Sequence, residues 1–164
     1  MRRFGPGIGT DQRGLTLLEL LIAMVILAVL AAAVLPMAEV TVKRTKELEL
    51  HRSLRTIRTA IDEYKADFDK AVAEKKIIPE LGETGYPEEL ENLVRGDDWG
   101  ELYPYKRKYL RRIPKDPFDR NDDGWGLRSY ADDPESTVWG GEDIFDVYSQ
   151  SDGIALDGTP YDTW

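Results

Sequence analysis

The spacing of apolar positions changes along this chain, and each spacing predicts a different element. From residue 20 to residue 38 no residue is charged. An α-helix, rising about 1.5 Å per residue, needs ~20 such residues to cross a bilayer, so this run is long enough to span one. Beyond it, Leu50, Leu54, Ile57, Ile61, Tyr64 and Phe68 recur at spacings of four, three, four, three and four. That period puts them on one face of an amphipathic helix continuing to about Lys75, with the face packed on the domain that follows. Residues 77–85 include Pro79, Gly82 and Gly85 and read as a loop. Pro87-Glu88-Glu89 then opens a short helix whose apolar side is Leu90, Leu93 and Val94, ending near Gly96. Residues 127–131 and 144–148 hold β-formers in partial alternation, set among Asp-Gly and Gly-Gly pairs, as a small antiparallel sheet requires. The fold class is α+β, with a long N-terminal helix, transmembrane in its first half, packed on that sheet.

Two residues interrupt the apolar stretch. Glu19 sits just inside it, where a carboxylate would cost roughly 2.5–3.5 kcal/mol at the bilayer centre and less near an end. A charge so placed points to a partner. Pro36 removes one backbone hydrogen bond and is expected to bend or loosen the helix. Ahead of the run, residues 1–14 are basic and glycine-rich, contain Pro6 and show no hydrophobic period. They read as a processing segment outside the fold.

Gly14, an apolar Leu15, then Thr16, Leu17, Leu18 and Glu19, with a basic leader before and an apolar helix after, resemble the class III signal of type IV pilins and pseudopilins. The resemblance implies a type IV pilin-like fold, cleavage between Gly14 and Leu15 by a prepilin peptidase on the cytoplasmic side, and N-methylation of Leu15, which stands where Phe is commonest. It also implies packing of the helix into a filament core, where Glu19, the fifth mature residue, pairs with the N-terminal amine of a neighbouring subunit. Opposite charges attract more strongly in a low dielectric, which suits that pairing. A proline at the place of Pro36 is usual in the family. Four segments follow: a cleaved leader, 1–14; a transmembrane and filament-core helix, 15–38; its amphipathic continuation, 39–76; and a C-terminal domain, 77–164. Arg2, Arg3 and Arg13 on one side of the run face Lys43, Arg44 and Lys46 on the other. Charge therefore does not set the orientation, and the N-terminus-in arrangement follows from the resemblance alone.

Composition narrows the function. The chain carries 22 Lys or Arg against 31 Asp or Glu, a net −9. Without Arg2, Arg3, Arg13 and Asp11 of the leader it carries 19 against 30, or −11. Such a chain is a poor nucleic-acid ligand, and the basic run Lys106, Arg107, Lys108, Arg111 and Arg112, with Tyr105 and Tyr109, is too short to reverse that. There is no cysteine, so no disulfide staples the domain and another clamp is expected. The single histidine, His51, lies among Lys46, Glu47, Glu49, Arg52, Arg55, Arg58, Asp62, Glu63 and Lys65. These charges read as a solvated face available for contacts between subunits, and His51 as a surface residue rather than a ligand or base. No Gly-x-Ser-x-Gly and no glycine-rich phosphate loop after a strand is present, which points away from an enzyme.

A second resemblance narrows the family. Tyr109-Leu110-Arg111-Arg112-Ile113-Pro114-Lys115-Asp116-Pro117-Phe118 is similar to the segment ahead of the sheet in the major pseudopilin of type II secretion systems. Asp143-Ile144-Phe145, Tyr148-Ser149, Asp152-Gly153 and Asp162-Thr163-Trp164 are similar to its closing strand, loop and C-terminus. The implied protein is a single-pass inner-membrane subunit with a periplasmic domain, polymerised with copies of itself into a pseudopilus that drives protein export. Its implied partners are the prepilin peptidase, the inner-membrane assembly platform and minor pseudopilins.

Two acidic clusters are candidates for metal. Asp152, Asp157 and Asp162 are five residues apart, with glycine after two of them, so a curled loop can gather hard oxygens around one cation, although Asp-Gly is also ordinary turn chemistry. The resemblance implies Ca²⁺ here, with Asp152 the best match, Asp162 next, and no counterpart for Asp157. Asp119-Arg120-Asn121-Asp122-Asp123-Gly124 fits the opening of an EF-hand loop, but Tyr130 stands at the twelfth position in place of the closing acid. Asp119, Asn121 and Asp123 are thus a second metal candidate beside the reading as a solvated acidic turn. Two other functions share these features. A type IV pilin of a surface fibre usually closes its C-terminal region with a disulfide, which this composition forbids. A secreted calcium-binding module requires ordinary signal cleavage near the small residues 31–33, in a segment that Glu19 interrupts.

Overall fold

The structure is a computed structural model that describes residues 15–121 and 123–164, with the backbone alone for 33, 35 and 36. Its first element is α1, Leu17–Ala73. Thr16 starts it by accepting the Glu19 backbone N–H at Oγ1 (3.2 Å). This is the N-cap role of a threonine three residues before a glutamate. The helix ends two residues short of the expected Lys75. Lys76 N donates to the Ala71 carbonyl (2.8 Å) and Lys75 N to that of Val72 (3.0 Å), while Lys75 takes φ 60°. Paired bonds of this kind close a helix through one left-handed residue, here a lysine where glycine is usual.

The chain divides into two compact units after Thr41. In the first, the described side chains from Leu15 to Val40 are exposed, and none of the most apolar 18-residue window is buried. In the second unit, which starts at Val42, the period reappears as a core. Leu50, Leu54, Ile57 and Ile61 are at most 2% exposed, packed with Leu93, Leu110, Trp125, Ile144, Val147, Ala155 and Tyr161. Burying each such aliphatic side chain contributes roughly 1.5–3 kcal/mol. A smaller cluster of Phe68, Ala71 and Trp99 lies further along α1.

α2 is Leu90–Arg95, with Glu89 as N-cap and Gly96 at φ 71° closing it. Pro87 does not form its first turn as expected. That residue is buried and its carbonyl accepts the Ile144 N–H (2.7 Å), which ties it to the chain ahead of the second strand. Gly96 is required, because a Cβ there would lie 2.3 Å from the Arg107 carbonyl oxygen.

The sheet has two antiparallel strands, β1 Trp125–Arg128 and β2 Asp146–Ser149, in the register Gly126↔Tyr148 and Leu127↔Val147. Both differ from the expected spans, β1 lying earlier than 127–131 and β2 later than 144–148. Gly126 belongs to β1 because its missing Cβ makes room for the Tyr148 ring, whose atoms would lie 2.3 Å away. Ser129 and Tyr130 leave the ladder because side chains capture their N–H groups: Ser129 N donates to Asp132 Oδ2 (2.7 Å) and Tyr130 N to Asp143 Oδ1 (2.8 Å). The result is the α+β arrangement of a long apolar N-terminal helix and a small antiparallel sheet, consistent with a type IV pilin-like fold.

Candidate functional site

Gly14 lies outside the described residues. Leu15 is 75% exposed and precedes the capping threonine, and Glu19, in the first turn of α1, is exposed as well. A carboxylate in a first turn is favoured by the helix dipole. Pro36 falls inside the span assigned to α1. The N-terminal features therefore stand in order on one helix end: a free Leu15, a capping Thr16, an outward Glu19 and an unburied apolar run.

Residues 152–164 form a closed loop. Ala155 N donates to the Thr159 carbonyl (2.7 Å), Gly158 N to that of Ala155 (3.1 Å) and Tyr161 N to that of Gly153 (3.1 Å). The 3-10 turn Tyr161–Thr163 follows. Asp157 is already engaged: its Oδ1 accepts Thr159 N (2.9 Å) and Thr159 Oγ1 (2.7 Å), bonds that hold its carboxyl below the usual carboxylate range. Asp152 is exposed. Asp162 is half-buried, and its Oδ1 is buried without a hydrogen-bond partner among the described residues. Among those residues, no three acids or histidines stand close enough together to hold a metal ion. The loop thus fits a cation in part, since Asp162 carries the orphan oxygen that a metal ligand would and Asp157 does not.

The clamp on this loop comes from charged and polar side chains of α1 that carry no core pattern in sequence. Glu47, Arg58 and His51, which is exposed as expected, all reach it. Glu47 Oε1 accepts the Leu156 N–H (2.8 Å) and the Tyr161 hydroxyl (2.9 Å). The His51 ring stacks on Trp164 with centroids 3.9 Å apart. Arg58 donates through Nε to Asp146 (2.6 Å) and through Nη2 to the carbonyls of Val147 (3.0 Å) and Trp164 (2.9 Å). The signal available in sequence was position: each lies within one turn of the buried stripe formed by Leu50, Leu54 and Ile61.

The second acidic cluster is a backbone turn. Asp119 accepts Asn121 N at Oδ1 and Gly124 N at Oδ2, both at 2.9 Å, which is the local bonding that aspartate offers a loop. Asn121 and Asp123 are exposed. The basic run is also divided. Arg107 turns inward, donating to Glu63 (3.0 Å) and to Asp67 (2.9 Å). The buried Asp67 also accepts the hydroxyls of Tyr103 (2.8 Å) and Tyr109 (2.6 Å).

Residues 9–35 match the prokaryotic N-terminal methylation motif. The chain carries a prepilin-type N-terminus. The matched span takes in Gly14, Leu15 and Glu19 and supports a type IV pilin-like protein, processed by a peptidase and anchored in a membrane through its apolar helix. No curated protein and no solved structure matches the chain.

Proposed function

We propose that this pilin-like protein is the major structural subunit of a type II secretion pseudopilus, rather than an enzyme. It is cut between Gly14 and Leu15, N-methylated on Leu15, held in the inner membrane with its C-terminal domain in the periplasm, and polymerised through α1. The observation that carries this reading is the methylation motif at 9–35 running into an apolar stretch of α1 whose described side chains are exposed. Polymerisation gives that helix neighbours, and Glu19 meets the amine of the next Leu15. The pseudopilus is favoured over a surface fibre by the zero cysteine count. The segment resembling the major pseudopilin also has structural employment here. The Pro114 carbonyl accepts Trp125 Nε1 (2.8 Å), Asp116 accepts Ser149 Oγ (2.5 Å), and Phe118 stacks on Tyr161 at 4.1 Å.

Intact-mass analysis of the protein made beside a prepilin peptidase tests the processing. The expected species begins at Leu15 and carries one methyl group, and Gly14→Val abolishes it. A start after Ala33 would overturn the reading in favour of a secreted module. Glu19→Ala is expected to leave the subunit folded in the membrane and to collapse filament yield. Normal yield would remove the proposed amine pairing.

We further propose that the terminal loop binds Ca²⁺ through Asp152 and Asp162, with loop carbonyls and water completing the shell. Asp162 Oδ1 is the support for this, because a buried oxygen without a partner is costly unless something satisfies it. An ion binding only the folded form stabilises it by mass action, about 2.7 kcal/mol at a hundredfold excess over Kd. Calcium is therefore expected to raise the melting temperature and chelator to lower it, with Asp162→Ala abolishing the difference. A melting temperature indifferent to chelator would overturn the proposal. Loss of the calcium effect only in Asp119→Ala or Asp123→Ala would transfer the site to the other cluster.

A further inference from the structure

Charge is segregated along the second unit. Residues 103–120 hold seven Lys or Arg and two acids, whereas residues 129–164 hold nine acids and no Lys or Arg. The basic segment is extended where Asp97 and Arg107 bridge, so successive side chains alternate in direction. Arg107 and Tyr109 turn in to Asp67, and Lys106 and Lys108 are exposed and make no hydrogen bond or ion pair among the described residues. The acidic segment begins with a loop of fixed shape. Asp132 Oδ2 accepts both Ser129 N (2.7 Å) and Gly140 N (3.0 Å), and Arg128 Nε donates to the Ser136 carbonyl (2.8 Å). Asp133 Oδ1 accepts the Glu135 N–H (3.1 Å), and the exposed Asp133 and Glu135 make no ion pair among the described residues. Each patch carries a largely exposed aromatic ring held on one side by its neighbours: Tyr105, 65% exposed and stacked on Tyr103, and Tyr130, 62% exposed and packed against Tyr86 and Phe145.

We infer that these two patches meet between copies, residues 105–108 of one subunit docking on the 130–135 loop of the next. The occupant follows from charge. Copies of a chain with net −9 repel one another, and growth in one direction requires a contact in which two different surfaces of the same chain face each other. Opposite patches on separate loops supply that contact, and the tyrosines supply the large desolvated area that interface centres favour. The inference rests on the filament reading above and adds to the α1 packing a contact between domains.

The test uses full-length chains assembled in cells, with filament yield as the readout. K106E/K108E and D133K/E135K are each expected to lower yield at least tenfold. Their combination in one chain, which restores opposite signs at the contact, is expected to recover most of it. All four positions are exposed and only Asp133 holds a backbone bond, to Glu135 N, so melting temperatures of the membrane-extracted subunits are expected to match wild type for K106E/K108E and to fall only slightly for D133K/E135K. Wild-type yield from either pair alone, or no recovery in the combined chain, overturns the contact while leaving the filament reading intact. Absence of filaments from the unmodified chain overturns both.

Discussion

Residues 20–38 and residues 50–68 belong to one assigned helix and are both rich in apolar side chains, yet their environments are opposite. In the later stretch the apolar residues recur at three and four, which leaves a polar face for water and brings the apolar face to a core of the same chain. In the earlier stretch they occupy every side of the helix with no charge among them, and the side chains described there remain exposed. A helix apolar all round has no solvent face, so it must be covered by something the monomer does not supply. What separates a core element from an assembly or membrane element here is whether apolar character leaves one face free, not how much of it there is.

Substituting the same residue type in the two stretches breaks the comparison most directly. Ile57→Ala opens a cavity in the core and is expected to destabilise the second unit by about 2–5 kcal/mol, read as thermal loss of tertiary signal from the full chain in detergent. Ile26→Ala is expected to leave that transition unchanged. Equal effects would mean that the earlier stretch also packs on the domain. Next comes Asp67→Ala, which removes the acceptor of the Tyr103 and Tyr109 hydroxyls and leaves Arg107 only Glu63 as an acid partner. Its expected cost is about 2 kcal/mol, measured by the same melt.

A pH scan probes the same region. Burial pushes the Tyr64 hydroxyl up to about 12, with Asp97, Glu88 and Glu83 adding to it, and burial followed by the hydrogen bond to Asp67 raises Tyr109 as well. These phenols stay protonated in the fold while the unfolded chain begins to ionise near pH ~10. The stability they contribute is thus full below that pH and is lost as pH rises towards 12. Tyr64→Phe is expected to flatten this alkaline decline, and an unaltered slope would place its cause elsewhere. Glu47→Gln is expected to be mildest, costing about 1 kcal/mol. Amide exchange at Leu156 is expected to rise before global unfolding, whereas uniform exchange would mean that the loop is not held through Glu47.

What was legible in the sequence tracks periodicity. Leu50 to Phe68 announced their buried face, whereas the capping of α1 by Thr16 was visible only in the structure. The sheet was read only in outline because its register depends on a glycine accommodating the Tyr148 ring and on two aspartates withdrawing Ser129 and Tyr130, neither of which has a period. The terminal acids looked equivalent by spacing, and only geometry separates Asp157, satisfied by Thr159, from Asp162, with an oxygen to spare. For the same reason the contacts of Glu47 and Arg58, and the stacking of the exposed His51 on Trp164, were not legible. Long-range hydrogen bonds from a helix to a distant loop leave no mark on the local pattern.

Among the described residues of the second unit, only eight lie in paired strands, and aspartates do much of the remaining backbone bonding. Asp97, Asp98, Asp116, Asp119, Asp132, Asp143 and Asp157 each accept a main-chain N–H from a residue in their own or a neighbouring turn. A side chain used this way is defined by its reach rather than its charge. Asn keeps an acceptor oxygen at the same distance from the backbone, whereas Glu carries its oxygens one methylene too far to close the turn. At these seven positions, tolerance to substitution therefore runs against formal similarity: the neutral amide is the close relative and the second acid the distant one.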